Sequence, residues 1–450
     1  MDPRTKTLLE APIVPTLTRL AAPNIFVMVL QALIGLFEAY FIGNLGTEQL
    51  AGVTLVVPLL MLTQMMSGGA MGGGISSAVA RALGSGRRDD ANALVWHAVA
   101  IAFCFGAVTT LIIVGAGRWI YSTAMGSHGL ALESALTYSH ITFAGAILIW
   151  LFNSLANVIR GTGNMNVPAG VSVVGTMVII PISPVLIFGW GPIPAFGVAG
   201  GAIAGLSYYA VGCVVLIFYL WTRRGVLTPA TIPPPLHWRL SRDILRVGLI
   251  ACIITVTTNL TVAVATALVS INGAAAVAGY GVGARLEYLL IPLAFGFGGP
   301  LVAMVGTAIG AGRRERALKV AWLGAAVCGL MTGAIGLWAA FFPRTWLTLF
   351  GTDPVLIETG TRYLQIVGPA YGFFGAGMVL YFASQGAGRL KWPLIGGLSR
   401  LAIATIGGWL MLRLTGDIDG VFAALAVALV TFAVINAVSV YLGAWFPARK

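Results

Sequence analysis

Twelve long apolar runs, at about 20–43, 51–79, 92–116, 134–158, 167–189, 197–221, 244–271, 275–308, 318–342, 360–384, 393–413 and 420–445, dominate this chain of 450 residues. Each can cross the hydrocarbon core of a bilayer as a helix, which takes about 20 residues. A segment in lipid must satisfy its own backbone hydrogen bonds, so runs rich in Gly, Ala, Leu and Val are read as helices. Only 9% of the residues are charged, against roughly 25% in a soluble domain. A water-soluble enzyme is therefore excluded. The net charge of +12 would suit a nucleic-acid partner only on a soluble domain with a basic face. The chain offers no such domain, so no nucleic-acid partner is expected.

With the N-terminus placed in the cytoplasm, twenty of the 26 Lys and Arg residues fall on the inner side, among them Arg223, Arg449 and Lys450. The outer side receives Arg118, Arg344, Arg362 and Arg413, while Arg285 and Arg400 lie within spans. The positive-inside rule then predicts a multi-pass protein of the cell (inner) membrane with both termini cytoplasmic. Arg4 and Lys6 precede the first run as in a signal peptide. However, Leu20 to Ile42 is longer than a signal h-region and the pattern repeats downstream, so it reads as a retained first span. Cys104, Cys213, Cys252 and Cys328 stand singly in apolar runs and read as small buried residues, without metal-ligand or disulfide spacing. His97 and His140, near span ends, read as interfacial.

The chain is internally repeated. Gly84-Ser85-Gly86-Arg87-Arg88 and Ala91 match Gly310-Ala311-Gly312-Arg313-Arg314 and Ala317 at a displacement of 226. Gly161-Thr162-Gly163 and Pro168 match Gly386-Ala387-Gly388 and Pro393 at 225, and Arg19 with Ala51-Gly52 matches Arg246 with Ala278-Gly279 at 227. Two halves of six spans each begin and end on the same side, which makes the repeat parallel. The expected division is an N-terminal lobe over 1–221, a cytoplasmic linker over 222–243 that holds Pro233-Pro234-Pro235, and a C-terminal lobe over 244–450. Repeat-built transporters place their sites at such lobe interfaces and alternate access by rocking the bundles. Gly68, Gly69 and Gly72 to Gly74 in the second span correspond to Gly296, Gly298 and Gly299 in the eighth, serving close packing or bending.

Ionisable residues inside spans are functional candidates by default, and few are present. Glu38 in the first span has no basic residue within a helical turn. An ionised carboxyl in such a place lacks solvation, so the group can take up and release a proton near neutral pH, as a proton-coupled carrier requires. Arg285 and Glu287 share the eighth span two residues apart, open to a structural role or to a charge pair across a bend, and Arg400 reads as reaching a headgroup or an internal acceptor. Gln31, Tyr138, Asn153, Asn157, Ser183, Asn259 and Glu287 are candidates for a coupling network. Gln64, Met65, Met66, Phe295, Tyr371, Phe373 and Phe374 are candidates for a substrate cavity, since methionine and aromatic linings adapt to varied apolar and cationic ligands.

Glu38-Ala-Tyr-Phe-Ile-Gly43-Asn-Leu-Gly46 followed by Leu50-Ala51-Gly52, the twin Gly-x-Gly-Arg-Arg loops, Arg160-Gly161-Thr-Gly163 and Phe196-Gly197-Val198-Ala199-Gly200-Gly201 resemble the multidrug and toxic compound extrusion family of antiporters. The resemblance spans essentially the whole chain. It implies an all-α polytopic membrane protein of twelve helices, in two pseudo-symmetric six-helix bundles around a central cavity. It also implies export of cationic or lipophilic compounds against an inward H⁺ or Na⁺ gradient. By position, Glu38 stands where the family usually carries an aspartate that binds the coupling cation. Ile179 and Ser183 before Pro184, Thr258 or Asn259, and Phe373 or Phe374 replace polar or acidic groups found in some members. So thin a shell of oxygen ligands favours H⁺ over Na⁺. The expectation is a non-enzymatic antiporter without cofactor or bound metal, acting as a monomer on small molecules in the lipid bilayer. A flippase for lipid-linked precursors is the alternative within the same wider superfamily, and an intramembrane enzyme lacks any visible catalytic cluster.

Overall fold

The computed structural model describes residues 2–222, 224–271 and 273–446, without the side chains of Ala32, Leu33 and Tyr288. Arg223, Arg449 and Lys450 of the topology argument lie outside them. The chain forms helices α1 (Ile13–Gly43), α2 (Thr47–Gly84), α3 (Arg88–Ala124), α4 (Gly129–Ala144 with Ala146–Gly161), α5 (Asn166–Phe188) and α6 (Val198–Trp221). The second half repeats the series with α7 (Trp238–Ser270), α8 (Ala274–Gly310), α9 (Arg314–Phe341), α10 (Pro354–Gly386), α11 (Lys391–Thr415) and α12 (Ile418–Tyr441). Among the described residues eleven are long and apolar enough to span a membrane alone, and the two arms of α4, bent by 48°, make the twelfth.

Three departures from ideal helix sit where side chains leave the backbone free or a donor is missing. The glycine-rich stretch of α2 winds as a π-helix over Met65–Met71. The fourth span, expected as one straight run, breaks at Gly145, which has φ −92° and ψ 15°. A Cβ there would overlap the Leu206 side chain, so glycine lets that α6 side chain pack into the bend as it stands. In α10 the corresponding break is the 3-10 turn Gly368–Ala370, where Pro369 supplies no N–H. Large apolar side chains such as Leu111, Met177 and Phe341 are exposed, as a lipid-facing surface requires. Cys213, Cys252 and Cys328 are buried as expected. Cys104 is exposed instead, on the outward side of α3 where lipid rather than protein covers it.

The chain forms two compact units, Met1–Thr5 with Phe26–Gly248 and Lys6–Ile25 with Leu249–Lys450. Unit 1 thus holds α2 to α6, most of α1 and the leading part of α7. Its stretch 224–243 is bound along its length rather than strung free. The Trp96 and Trp221 indoles donate to the Ala230 carbonyl at 2.9 and 3.3 Å, Arg239 meets Asp90 at 2.8 Å, and Arg81 meets Asp243 at 2.7 Å. His97, expected at an interface with water, is fully buried and its Nε2 accepts the His237 backbone N–H at 3.0 Å. Unit 2 holds the segment that precedes α1 in a comparable way. Arg316 donates to the carbonyls of Leu8 at 2.9 Å and Ala11 at 2.7 Å, and Arg313 to that of Leu9 at 3.1 Å. These guanidiniums close the open carbonyls at the end of the short helix Pro3–Glu10.

The repeat is visible in backbone detail. Gly86 and Gly312 turn the twin loops at φ +77° and +73°, a conformation that glycine adopts without strain. Each is followed by the same bond, Arg87 N–H to Ala82 O and Arg313 N–H to Ala308 O, both 2.9 Å. Gly161 touches α2 so closely that a Cβ would lie 2.8 Å from the Ser76 carbonyl oxygen, and Gly386 stands at the same 2.8 Å from Val302 on α8. Replacing either Gly161 or Gly386 by leucine should therefore cost about 1–3 kcal/mol of stability. The same change at Gly170, which has open space beside it, should leave the melting temperature of the detergent-solubilised protein nearly unchanged.

Candidate functional site

In unit 1 the carboxyl of Glu38 reaches from α1 toward α4 and α6. The hydroxyl of buried Tyr138, on the first arm of α4, donates to Glu38 Oε1 at 2.5 Å, a length suited to a charge-assisted bond. Gly201 on α6 makes the room: a Cβ there would sit 3.3 Å from the same oxygen and 3.7 Å from the Tyr138 ring. Apolar side chains including Ile42, Val56, Val198 and Ala202 pack behind the pair. Among the described residues no cation lies within ion-pair distance of Glu38.

The other candidates of unit 1 fall into two groups. Gln64 donates to the Tyr209 hydroxyl at 3.0 Å, and Gln31, exposed on α1, lies beside the Tyr208 hydroxyl together with Ser172. The rings of Tyr208 and Tyr209 meet edge to face at 5.0 Å. These two α6 tyrosines escaped the sequence reading, although adjacent phenols in an apolar span were a usable signal. Asn153 and Asn157, on the second arm of α4, bond to Ser67 Oγ at 2.9 Å and the Gly68 carbonyl at 3.0 Å. Their amides fasten α4 to the π-helical stretch of α2, where Met65 and Met66 are half-buried, and no bond of theirs goes to Glu38. Ser183 is buried on α5 without a bond to Glu38 or Tyr138.

Unit 2 assembles a second polar cluster. Glu287 on α8 accepts from Arg400 Nη2 of α11 at 3.4 Å and from the Tyr363 hydroxyl of α10 at 3.4 Å. Tyr371, expected to line a cavity, is wholly buried and donates to Tyr363 at 3.4 Å. Phe374 lies under the Arg400 guanidinium, 5.8 Å from ring centre to Cζ. Arg285, open in the sequence reading to a pair with Glu287, instead covers the Phe350 ring at 5.3 Å. Side chains two apart on a helix point to different faces, so Glu287 takes its cation from another helix. Tyr363 stands 225 residues after Tyr138, so equivalent tyrosines bond to the intramembrane glutamates of both units. That match lay open in the sequence and was missed. Asn259 is exposed on α7 and bonds to its own helix at Thr255 O, 2.9 Å away. Phe295 stacks edge-on against Phe382 at 5.0 Å. Phe373 is 46% exposed and lines an apolar groove of about 320 Å³ with Trp322, Ala325 and Leu380, separate from the Glu287 cluster.

The MatE family model matches residues 23–185 and 251–410, one stretch in each half. The chain is 26% identical over 380 residues to a Thermotoga maritima protein named probable multidrug resistance protein NorM, covering 84% of this chain and 81% of that one. It is also 26% identical over 416 residues to a Shewanella oneidensis protein named FAD transporter, covering 92% and 90%. Among solved structures, a MATE protein in its bent conformation superposes with a TM-score of 0.88 at 23% identity, over 98% of both chains. A MOP superfamily transporter from Pyrococcus furiosus superposes at 0.87 and 22% identity, over 98% of both chains. These two likenesses establish the fold.

Breaking a buried ion pair from one side leaves the other charge uncompensated, at about 3–5 kcal/mol, whereas removing both charges costs far less. Arg400→Gln alone should accordingly lower the melting temperature of the solubilised protein sharply. Adding Glu287→Gln to it should restore most of the loss, and a double-mutant cycle on thermal stability measures the coupling.

Proposed function

The chain belongs to the MatE family of transporters, and on that basis we propose that it is a secondary active antiporter that exports small molecules, coupled to inward movement of H⁺ rather than Na⁺. The observation that carries the proton reading is Glu38, an intramembrane carboxyl whose hydrogen bond comes from a phenol and which has no cation beside it among the described residues. Such a carboxyl is discharged by a proton alone, whereas Na⁺ needs several oxygen ligands around it. Protonation from the outer side neutralises Glu38 and weakens its hold on Tyr138, which frees the first arm of α4 from α1. The proton leaves to the cytoplasm on return.

Relatives named for multidrug resistance support a broad range of exported compounds that includes cationic and lipophilic ones. The relative named FAD transporter supports a range not confined to cations. Under this reading the protein is a monomer of the cell (inner) membrane with both termini cytoplasmic. Its duplicated halves, 1–221 and 244–450, are joined by 222–243 and carry out alternating access by rocking-bundle movement.

Everted membrane vesicles provide the test. Glu38→Gln should abolish efflux driven by a pH gradient, and Glu38→Asp should keep a measurable part of it. Replacing the pH gradient with a Na⁺ gradient should drive no transport in the wild type. Full pH-driven efflux by Glu38→Gln would remove this carboxyl from the coupling mechanism.

A further inference from the structure

The polar cluster of unit 2 holds more hydrogen-bond donors than its own residues use. Arg400 is only 5% exposed, and a guanidinium carries five N–H donors. Among the described residues its hydrogen bond is the one to Glu287, at 3.4 Å. Charge-assisted N–H···O bonds close to about 2.7–2.9 Å, and an arginine that locks a carboxylate in place does so with two parallel bonds. Arg400 and Glu287 are thus neighbours without being clasped. The bonds from Tyr363 to Glu287 and from Tyr371 to Tyr363, also 3.4 Å each, are equally loose.

The sister unit builds its carboxyl–phenol pair without an arginine at this position. In unit 1 the equivalent tyrosine, Tyr138, bonds to Glu38 at 2.5 Å. The residue 225 positions before Arg400 is Gly175, whose Cβ position is occupied by the Tyr208 ring. Unit 1, whose carboxyl comes from α1 rather than from the α2 counterpart of Glu287, thus holds its phenol with no arginine at the position of Arg400. An intramembrane guanidinium is expensive to insert, and here it sits where the sister unit fills the space with an aromatic ring.

We propose that Arg400 recognises an oxyanion, a carboxylate or phosphate, on the transported molecule, and that Glu287 is the resident counter-ion which this group displaces. The planar fork of Arg400 matches either oxyanion in two-point contact. Its seat over the Phe374 ring orients the guanidinium plane. Tyr363 and Tyr371 supply hydroxyls that keep Glu287 hydrogen-bonded once it is released. The proposal rests on the transporter reading above and deepens it, adding substrates with an acidic substituent to those that are cationic or neutral.

Equilibrium binding in nanodiscs of phosphatidylcholine, without any gradient, separates this idea from proton coupling at Glu38. The probes are carboxyfluorescein, an anionic dye, and tetraphenylphosphonium, a permanent cation. Glu287→Gln releases Arg400 and should tighten carboxyfluorescein binding by about tenfold. The double variant Glu287→Gln/Arg400→Gln, which leaves no lone buried charge and so keeps the fold, should lose that gain and bind the dye more weakly than the wild type. Tetraphenylphosphonium should change by less than about twofold across the three proteins. Addition of phosphatidylglycerol to the discs should leave the dye's dissociation constant unchanged. Dye binding that is absent, unaltered by Glu287→Gln, or still tightened in the double variant would overturn the proposal. Competition by phosphatidylglycerol that depends on Arg400 would assign the site to a lipid headgroup and overturn it equally.

Discussion

A backbone in hydrocarbon has no water to turn to, so nearly every peptide group here is committed to its own helix. Shape must then come from the few places where the helix gives way and from side chains small enough to let helices touch. Both devices position the polar residues. The break at Gly145 divides α4 into an arm that carries Tyr138 to Glu38 and an arm whose asparagines grip the π-helical stretch of α2. The turn Gly368–Ala370 separates Tyr363 from Tyr371 in α10, and both phenols still reach one cluster. Without these interruptions each span would be a straight rod with its polar groups spread around the circumference.

The two intramembrane glutamates show how one framework sets different chemistry. Equivalent tyrosines bond to both, at 2.5 Å in unit 1 and 3.4 Å in unit 2. Among the described residues Glu38 has no cation within ion-pair distance, and its hydrogen bond comes from a phenol. Glu287 has Arg400, so its charge is already balanced, and a change there requires another anion or the loss of the pair. The repeat supplies the scaffold, and the halves differ both in the helix that carries the glutamate, α1 in one and α8 in the other, and in the arginine on α11.

Properties that depend on a residue's own run were legible in the sequence. The spans follow from hydrophobic length, the repeat from the glycine-arginine loops, and the intramembrane charges from their rarity. Properties that depend on a neighbouring helix were not. Nothing along the chain indicates that Glu287 meets Arg400, more than a hundred residues away, rather than Arg285 two positions before it. Gly145 is one of 59 glycines, and others, such as Gly175 and Gly212, are pressed by a neighbouring side chain as it is by Leu206 while their helices run on. Tyr371 and Phe373 look alike as aromatic residues on one span. One is wholly buried and the other faces an apolar groove, because lipid and protein interior select for the same side chains.

Helices α1 and α7 each belong to both compact units, their leading parts counted with one and the remainder with the other. The duplicated segment and the folded body therefore have different edges, which bears on biosynthesis. The first body is complete only when residue 248 has been made, just past the start of the second repeat. The segment Lys6–Ile25, among the first to leave the ribosome, waits for partners in the second half of the chain, Gly296, Arg313 and Arg316 among them. Early release of a half-length chain would strand an unpaired leading segment in the membrane, which ties the maturation of each half to the synthesis of the whole.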